Sequence, residues 1–173
     1  MGTDRGIFLP YAGSMKSFFV HGAEQLRLYL DLCCFNRPYD DQSQTRIRLE
    51  TEAKLVIQQK IRGGECELLW SSALDFENSK NPFEEHLHAI REWRKLAVAS
   101  VMADAEVLKL AREAMALDIR EYDALHVASA IVGKADVLVT TDDRFIKRMR
   151  QFGKIMMLFP MEAVAYLEQW YEN

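Results

Sequence analysis

The chain has 173 residues, 49% hydrophobic and 28% charged, a balance that suits one folded domain with its own core and excludes a disordered or collagen-like polymer. Its 22 Lys and Arg against 26 Asp and Glu give a net charge of −4, which excludes a broad nucleic-acid coat while leaving room for a local basic rim around a nucleic-acid site. No apolar run reaches the ~18 residues of a membrane span, and Pro160 and Glu162 interrupt the longest one.

Residues 1–25 mix Gly, Pro and aromatics without a period, and read as an N-terminal extension: a leader, or a start placed too early, with Met15 as an alternative. Leu26 to Cys34 is an apolar run of buried-strand character that holds one acid, Asp31. A polar turn, Asn36 to Asp41, precedes a helix from about Ser43 to Lys60. In that helix Leu49, Ala53, Val56, Ile57 and Ile61 share one face, and Arg46, Arg48, Glu50, Glu52 and Lys54 fall mostly outside it. Gly63 and Gly64 stop the helix. Cys66 to Trp70 reads as a second strand. Ser71 or Ser72 caps the helix that follows, which contains Asp75 and Glu77.

Pro82 opens a further helix to about Ala97, and Ser100 to Met102 is a brief strand. Asp104 caps a helix carrying Val107, Leu110, Ala111 and Ala114 at helical spacing. Ile119 to Gly133 is another helix, Val137 to Val139 a strand, Asp142 to Arg150 a basic helix, Ile155 to Phe159 a strand, and Pro160 begins the last helix, to about Tyr171. Strands alternating with helices point to a parallel sheet covered on both faces. Cys33, Cys34 and Cys66 lack the paired CxxC of a zinc site and read as free thiols in a reducing cytoplasm.

Four acids stand at the edges of these apolar elements: Asp31 in or at the end of the first strand, Glu77 one turn into a helix, Asp123 near the start of DALHVASA, and Asp142 directly after Val137 to Val139. In an open parallel sheet, sites form at the carboxyl ends of strands. Each acid also has a plainer role open to it: Asp123 and Asp142 at helix N-termini, Glu77 on the surface. Asp31 fits such a role least, because an acid amid Leu28, Leu30, Leu32 and Phe35 is costly to bury unpaired. Clustered carboxylates repel and need neutralising, which a hard divalent cation does through oxygen ligands. That points to a metal-dependent phosphodiester hydrolase.

From about Arg27 to Leu167 the sequence resembles the PIN-domain ribonuclease family. The resemblance is carried by YLDLCCFNRP around Asp31, SSALDFE ending at Glu77, EYDALHVASAI around Asp123 and ADVLVTTDDRF around Asp142. The segment NRPYDDQSQTRIRLE is similar to a bacterial subgroup of VapC-type toxins. The resemblance implies an α/β fold over residues 26–173, a three-layer α/β/α sandwich with a central parallel sheet. It also implies Mg²⁺- or Mn²⁺-dependent cleavage of RNA, an antitoxin partner and a homodimer, while the free thiols and the missing apolar run point to a cytoplasmic protein without membrane association. Asp31, Glu77, Asp123 and Asp142 match the family's catalytic and metal-holding acids. Asp75 and Asp143 lie close enough in sequence to compete for such places.

Around them, Thr140 and Thr141 suit a carboxylate or phosphate, and Arg37, Arg144, Lys147 and Arg148 suit RNA phosphates, with a solvated helix face as the plainer reading of the last three. His126, three residues after Asp123, reads as a core or supporting histidine near the site. His86 and His88 fall on different helix faces, which argues against a metal role. A PIN-like module that binds RNA or a protein without turnover is the alternative.

Overall fold

The computed structural model describes residues 25–170, so nearly all of the predicted extension 1–25 lies outside the described residues, as do 171–173. The elements run β1 (Arg27–Leu30), α1 (Leu32–Asn36), a 3₁₀ turn (Arg37–Tyr39), α2 (Thr45–Arg62), β2 (Glu67–Ser71), α3 (Ser72–Asn78) and α4 (Glu84–Trp93). They continue with β3 (Ala97–Val101), α5 (Ala105–Met115), α6 (Glu121–Val132), β4 (Val137–Val139), α7 (Asp143–Phe152), β5 (Met156–Leu158) and α8 (Pro160–Leu167). The five strands form one parallel sheet in the order β3-β2-β1-β4-β5. Connections leave β1 toward β2 and β3 on one side, and leave β4 toward β5 on the other. With right-handed crossovers, the helices of the two halves therefore cover opposite faces. The reversal between β1 and β4 opens a crevice at the carboxyl end of the sheet, where ligands of such folds bind.

The centre of the sheet is buried on both faces: Leu28, Tyr29, Leu30, Leu68, Leu69, Trp70, Val137, Leu138 and Val139 are fully enclosed. Two differences from the sequence reading have physical causes. The first strand ends at Leu30, and Leu32 to Asn36 turns into a short helix capped by Asp31. The apolar run hid this boundary because Leu32, Cys34 and Phe35 are buried in the helix as they would be in a strand. In α2, Ala53, Ile57 and Ile61 are buried as the predicted face requires, but Glu50 and Lys54 are buried too and Leu49 is exposed. α2 is contacted by α1 and packs along α8, so more than its apolar stripe is covered. Glu50 is made tolerable there by Arg37 and Arg46, at 2.7 and 2.8 Å.

Gly133 closes α6 against the sheet. A Cβ there would lie 2.3 Å from one Leu69 methyl and 2.8 Å from a Val101 methyl. Since Leu69 is itself fully enclosed, Gly133→Ala is expected to destabilise the fold by about 1–3 kcal/mol, the usual penalty for overpacking a core, read as a lower urea midpoint. No helix among the described residues is long and apolar enough to cross a membrane.

Candidate active site

Asp31 occupies the position immediately after β1. Its backbone N–H donates to the Val139 carbonyl at 2.9 Å, which fixes it beside the end of β4. One carboxylate oxygen accepts the Leu32 N–H at 2.7 Å and so starts α1. The other accepts the Thr140 hydroxyl at 2.8 Å and the Cys33 thiol at 3.3 Å. Three donors thus meet an acid that is only 6% exposed, which is why a strand end this apolar tolerates it. The hydroxyl that Leu32, Cys33 and Cys34 cannot provide comes from across the sheet.

Glu77 reaches the same crevice because α3 follows β2 directly and begins at the sheet's carboxyl edge. Ser71 caps that helix, its hydroxyl oxygen accepting the Leu74 N–H at 3.2 Å. α6 precedes β4 and runs back toward its base, so the first turn of α6 also lies at this edge. Asp123 and His126 share a face there, three residues apart. His126 is 1% exposed, with its Nε2 2.6 Å from a Glu77 oxygen and 3.7 Å from Asp31. Its Nδ1 lies 2.6 Å from the Tyr29 hydroxyl, which in turn lies 2.6 Å from Ser71 Oγ.

A carboxylate only accepts, so Nε2 carries the proton donated to Glu77. Burial works against the charged imidazole, yet the hydrogen bond to Glu77 and the charges of Asp31, Glu77 and Asp123 outweigh it and raise the His126 pKa above its ordinary value. For Tyr29 burial acts the other way, raising the pKa and keeping its hydroxyl protonated. Tyr29→Phe strips a partner from both His126 and Ser71 in a dry setting. It is expected to cost about 1–3 kcal/mol in chemical denaturation, with the overall fold retained.

Asp142 caps α7, one oxygen accepting the N–H groups of Arg144 and Phe145 at 2.8 and 3.0 Å. Its other oxygen accepts from Arg120 at 3.0 Å, and the same guanidinium donates to Asp123 at 3.1 Å. Burial and then the charge of Asp31 raise the Asp123 pKa above the usual carboxylate range, against the pull of Arg120. Arg120 is absent from the sequence reading, although its Arg-x-x-Asp spacing before Asp123 was the available signal.

The neighbouring candidates sort by their partners. Asp75 accepts from the Trp70 indole at 3.0 Å and pairs with Arg94 at 3.0 Å. Asp143 is held bidentately by Arg46 at 2.8 Å. Arg37 is engaged by Glu50 and Asp40, and Arg148 by Asp118. Thr141 is buried with its N–H on Cys33 Sγ at 3.3 Å, whereas Arg144 and Lys147 are exposed on α7.

One atom each of Asp31, Glu77 and His126 lies within 4.8 Å of the others. Because His126 Nε2 is a donor to Glu77, the ligand atoms on offer are carboxylate oxygens. That donor set fits a hard divalent cation such as Mg²⁺ or Mn²⁺. Arg120 supplies positive charge between Asp123 and Asp142, where a cation would be drawn.

The PIN domain profile matches residues 29–150. Similar solved structures include the VapBC2 complex from Rickettsia felis bound to a DNA fragment from its promoter, at 18% identity and a TM-score of 0.47, covering 78% of this chain and 98% of that one. DNA-bound VapBC from Salmonella typhimurium is similar at 15% identity and a TM-score of 0.48, covering 79% of this chain and 99% of that one. No curated protein matches the chain.

Proposed function

The chain belongs to the PIN-domain family, and from that premise we propose that it is an endoribonuclease that hydrolyses RNA phosphodiester bonds with Mg²⁺ or Mn²⁺. The observation that carries this reading is Asp31: a buried acid at the switch point of a parallel sheet, held by three donors and facing Glu77, with Asp123 and Asp142 at the same edge.

In this reading Asp31, Asp123 and Asp142 would hold the cation directly or through water, and Glu77 would complete the set. A cation bound there would supply Lewis-acid polarisation of a phosphoryl oxygen and a more acidic water. Thr140 fixes the Asp31 carboxylate toward the crevice. His126 holds Glu77 so that its free oxygen can orient the attacking water. Arg120 lies between two acids and can turn its guanidinium to a phosphate once their charge is neutralised otherwise. Thr141, Arg144 and Lys147 lie on the side of β4 and α7, where the RNA backbone would pass. Arg37 and Arg148 would have to leave their carboxylate partners to join them.

The resemblance of NRPYDDQSQTRIRLE to VapC-type toxins supports a finer reading: the toxin of a toxin–antitoxin pair, a cytoplasmic homodimer restrained by an antitoxin. The deciding experiment incubates the purified protein with a mixed single-stranded RNA pool in Mn²⁺, Mg²⁺ or EDTA. Cleavage with either metal and none in EDTA is expected. No cleavage with either metal, or equal cleavage in EDTA, returns the chain to the non-catalytic RNA- or protein-binding alternative.

A further inference from the structure

A second concavity, of about 370 Å³, adjoins the acid crevice and shares Glu77 with it as a wall. Tyr39, Phe83 and His86 form an aromatic wall, and Asp40 stands beside them. Tyr39 stacks on His86 with ring centres 3.7 Å apart and planes 10° from parallel, and Phe83 leans on the same imidazole at 4.8 Å. Tyr39 is 46% exposed and Phe83 60%, so neither ring is there to fill the core. Polar groups line the remainder. Asn36 accepts from the Asn81 amide at 3.2 Å, which leaves Asn36's own amide N–H groups without a partner among the described residues.

The ammonium of Lys80 stands at the rim, 4.3 Å from the Phe76 ring centre and 4.6 Å from that of Tyr122. Those two rings are also exposed and lie 5.8 Å apart. Lys80 thus joins the groove, which it lines with Glu77, to a second pair of exposed rings, and its ammonium donates to the Tyr122 hydroxyl at 2.5 Å.

We propose that this groove seats one unpaired nucleobase of a single-stranded RNA, beside the bond presented to the acids; the assignment deepens the ribonuclease reading and rests on it. An exposed ring offers a π-face to any base, and such stacking tolerates sequence variation. The Asn36 amide can donate to a base edge, and Lys80 can meet the adjoining phosphate. Bases within a duplex are already stacked and paired, so the groove selects single strands, loops and ends. A protein side chain would fill the apolar part. However, the groove opens into a carboxylate crevice through Glu77, and a backbone phosphate lying beside its base would be brought to those acids.

The test measures binding of a fluorescein-labelled single-stranded RNA to the full chain by anisotropy in EDTA, where nothing is cut, and then cleavage kinetics in Mn²⁺. Phe83→Ala and Tyr39→Ala are each expected to weaken binding about tenfold or more. They should raise KM with little change in kcat, and Phe83→Trp should bind as the wild type does. In a series of RNAs carrying one abasic nucleotide moved along the strand, one position should weaken wild-type binding by the same factor and leave Phe83→Ala unaffected.

Unchanged binding by both alanine variants overturns the assignment. So does an equal loss on duplex RNA, the absence of any sensitive abasic position, or an effect confined to binding of a protein partner. Wild-type protein that binds RNA with these sensitivities but cuts none with either metal overturns the hydrolase reading alone.

Discussion

Asp31→Asn is expected to lower RNA cleavage at least about a hundredfold, the scale of losing one key electrostatic group, while leaving the protein folded. Asparagine keeps an oxygen for the Leu32 N–H and a polar atom opposite Thr140, so the α1 cap and the β1–β4 junction survive. What it removes is a negative charge that Asp123 feels. The Asp123 pKa, raised by burial and by Asp31, should therefore move down toward its ordinary value in the variant, visible in carboxyl-carbon NMR titration. In the metal-free wild type that raised pKa costs stability once pH exceeds the unfolded carboxylate range, because the folded state then binds more protons than the unfolded one. Addition of Mn²⁺ should accordingly raise the wild-type Tm, and raise that of Asp31→Asn by less. An active Asp31→Asn enzyme would sink the assignment of this acid.

Lys54→Met is expected to raise stability at neutral pH by roughly 3 kcal/mol. Lys54 is buried on α2, with its ammonium 5.8 Å from the Phe35 ring centre. Burial lowers its pKa from an ordinary 10.5 to about 8. Below pH 8 both folded and unfolded chains carry the charge, and the folded state bears the full desolvation penalty. Between about 8 and 10.5 the unfolded chain binds the proton and the folded chain does not, so wild-type stability gains on the variant as pH rises. Urea melts at pH 7 and pH 10 should show the gap closing. A gap independent of pH would assign the gain to packing alone.

Lys54 also shows why part of the molecule could not be read in one dimension. A helix stripe is predicted from the apolar residues it displays, but α2 is covered both by the body of the fold and by α8. Glu50, Thr51, Lys54 and Gln58 are consequently enclosed despite their chemistry. Elsewhere local signals were sufficient. Asp104 announces its helix, and its carboxylate accepts the N–H groups of Glu106 and Val107. Val137 to Val139 stands out as a strand because turn residues bound it on either side.

The four acids are legible as candidates because each adjoins an apolar element whose end is set by local pattern. His126 looked like a core residue, and by burial it is one. Its place in the site depends on Tyr29, Ser71 and Glu77, three residues from other elements, and no spacing along the chain encodes that meeting. Arg120 bridges Asp123 to Asp142, and only the first of those contacts is local.

The order of strands has a consequence for the timing of synthesis. β1, β2 and β3 are sequence neighbours and pair side by side, so the first half of the sheet can assemble from an incomplete chain. β4 must then dock on the opposite flank of β1, where Thr140 meets an Asp31 that lies 109 residues earlier. Such distant pairings form late, since a long loop must close before they contribute. A nascent chain that has emerged only to Gly133 holds Asp31, Glu77 and Asp123 but neither Asp142 nor the strand that orients the first acid. Assembly of the crevice therefore awaits the last third of the polypeptide, so a chain released early from the ribosome would carry three of the acids without the strand that orients the first of them.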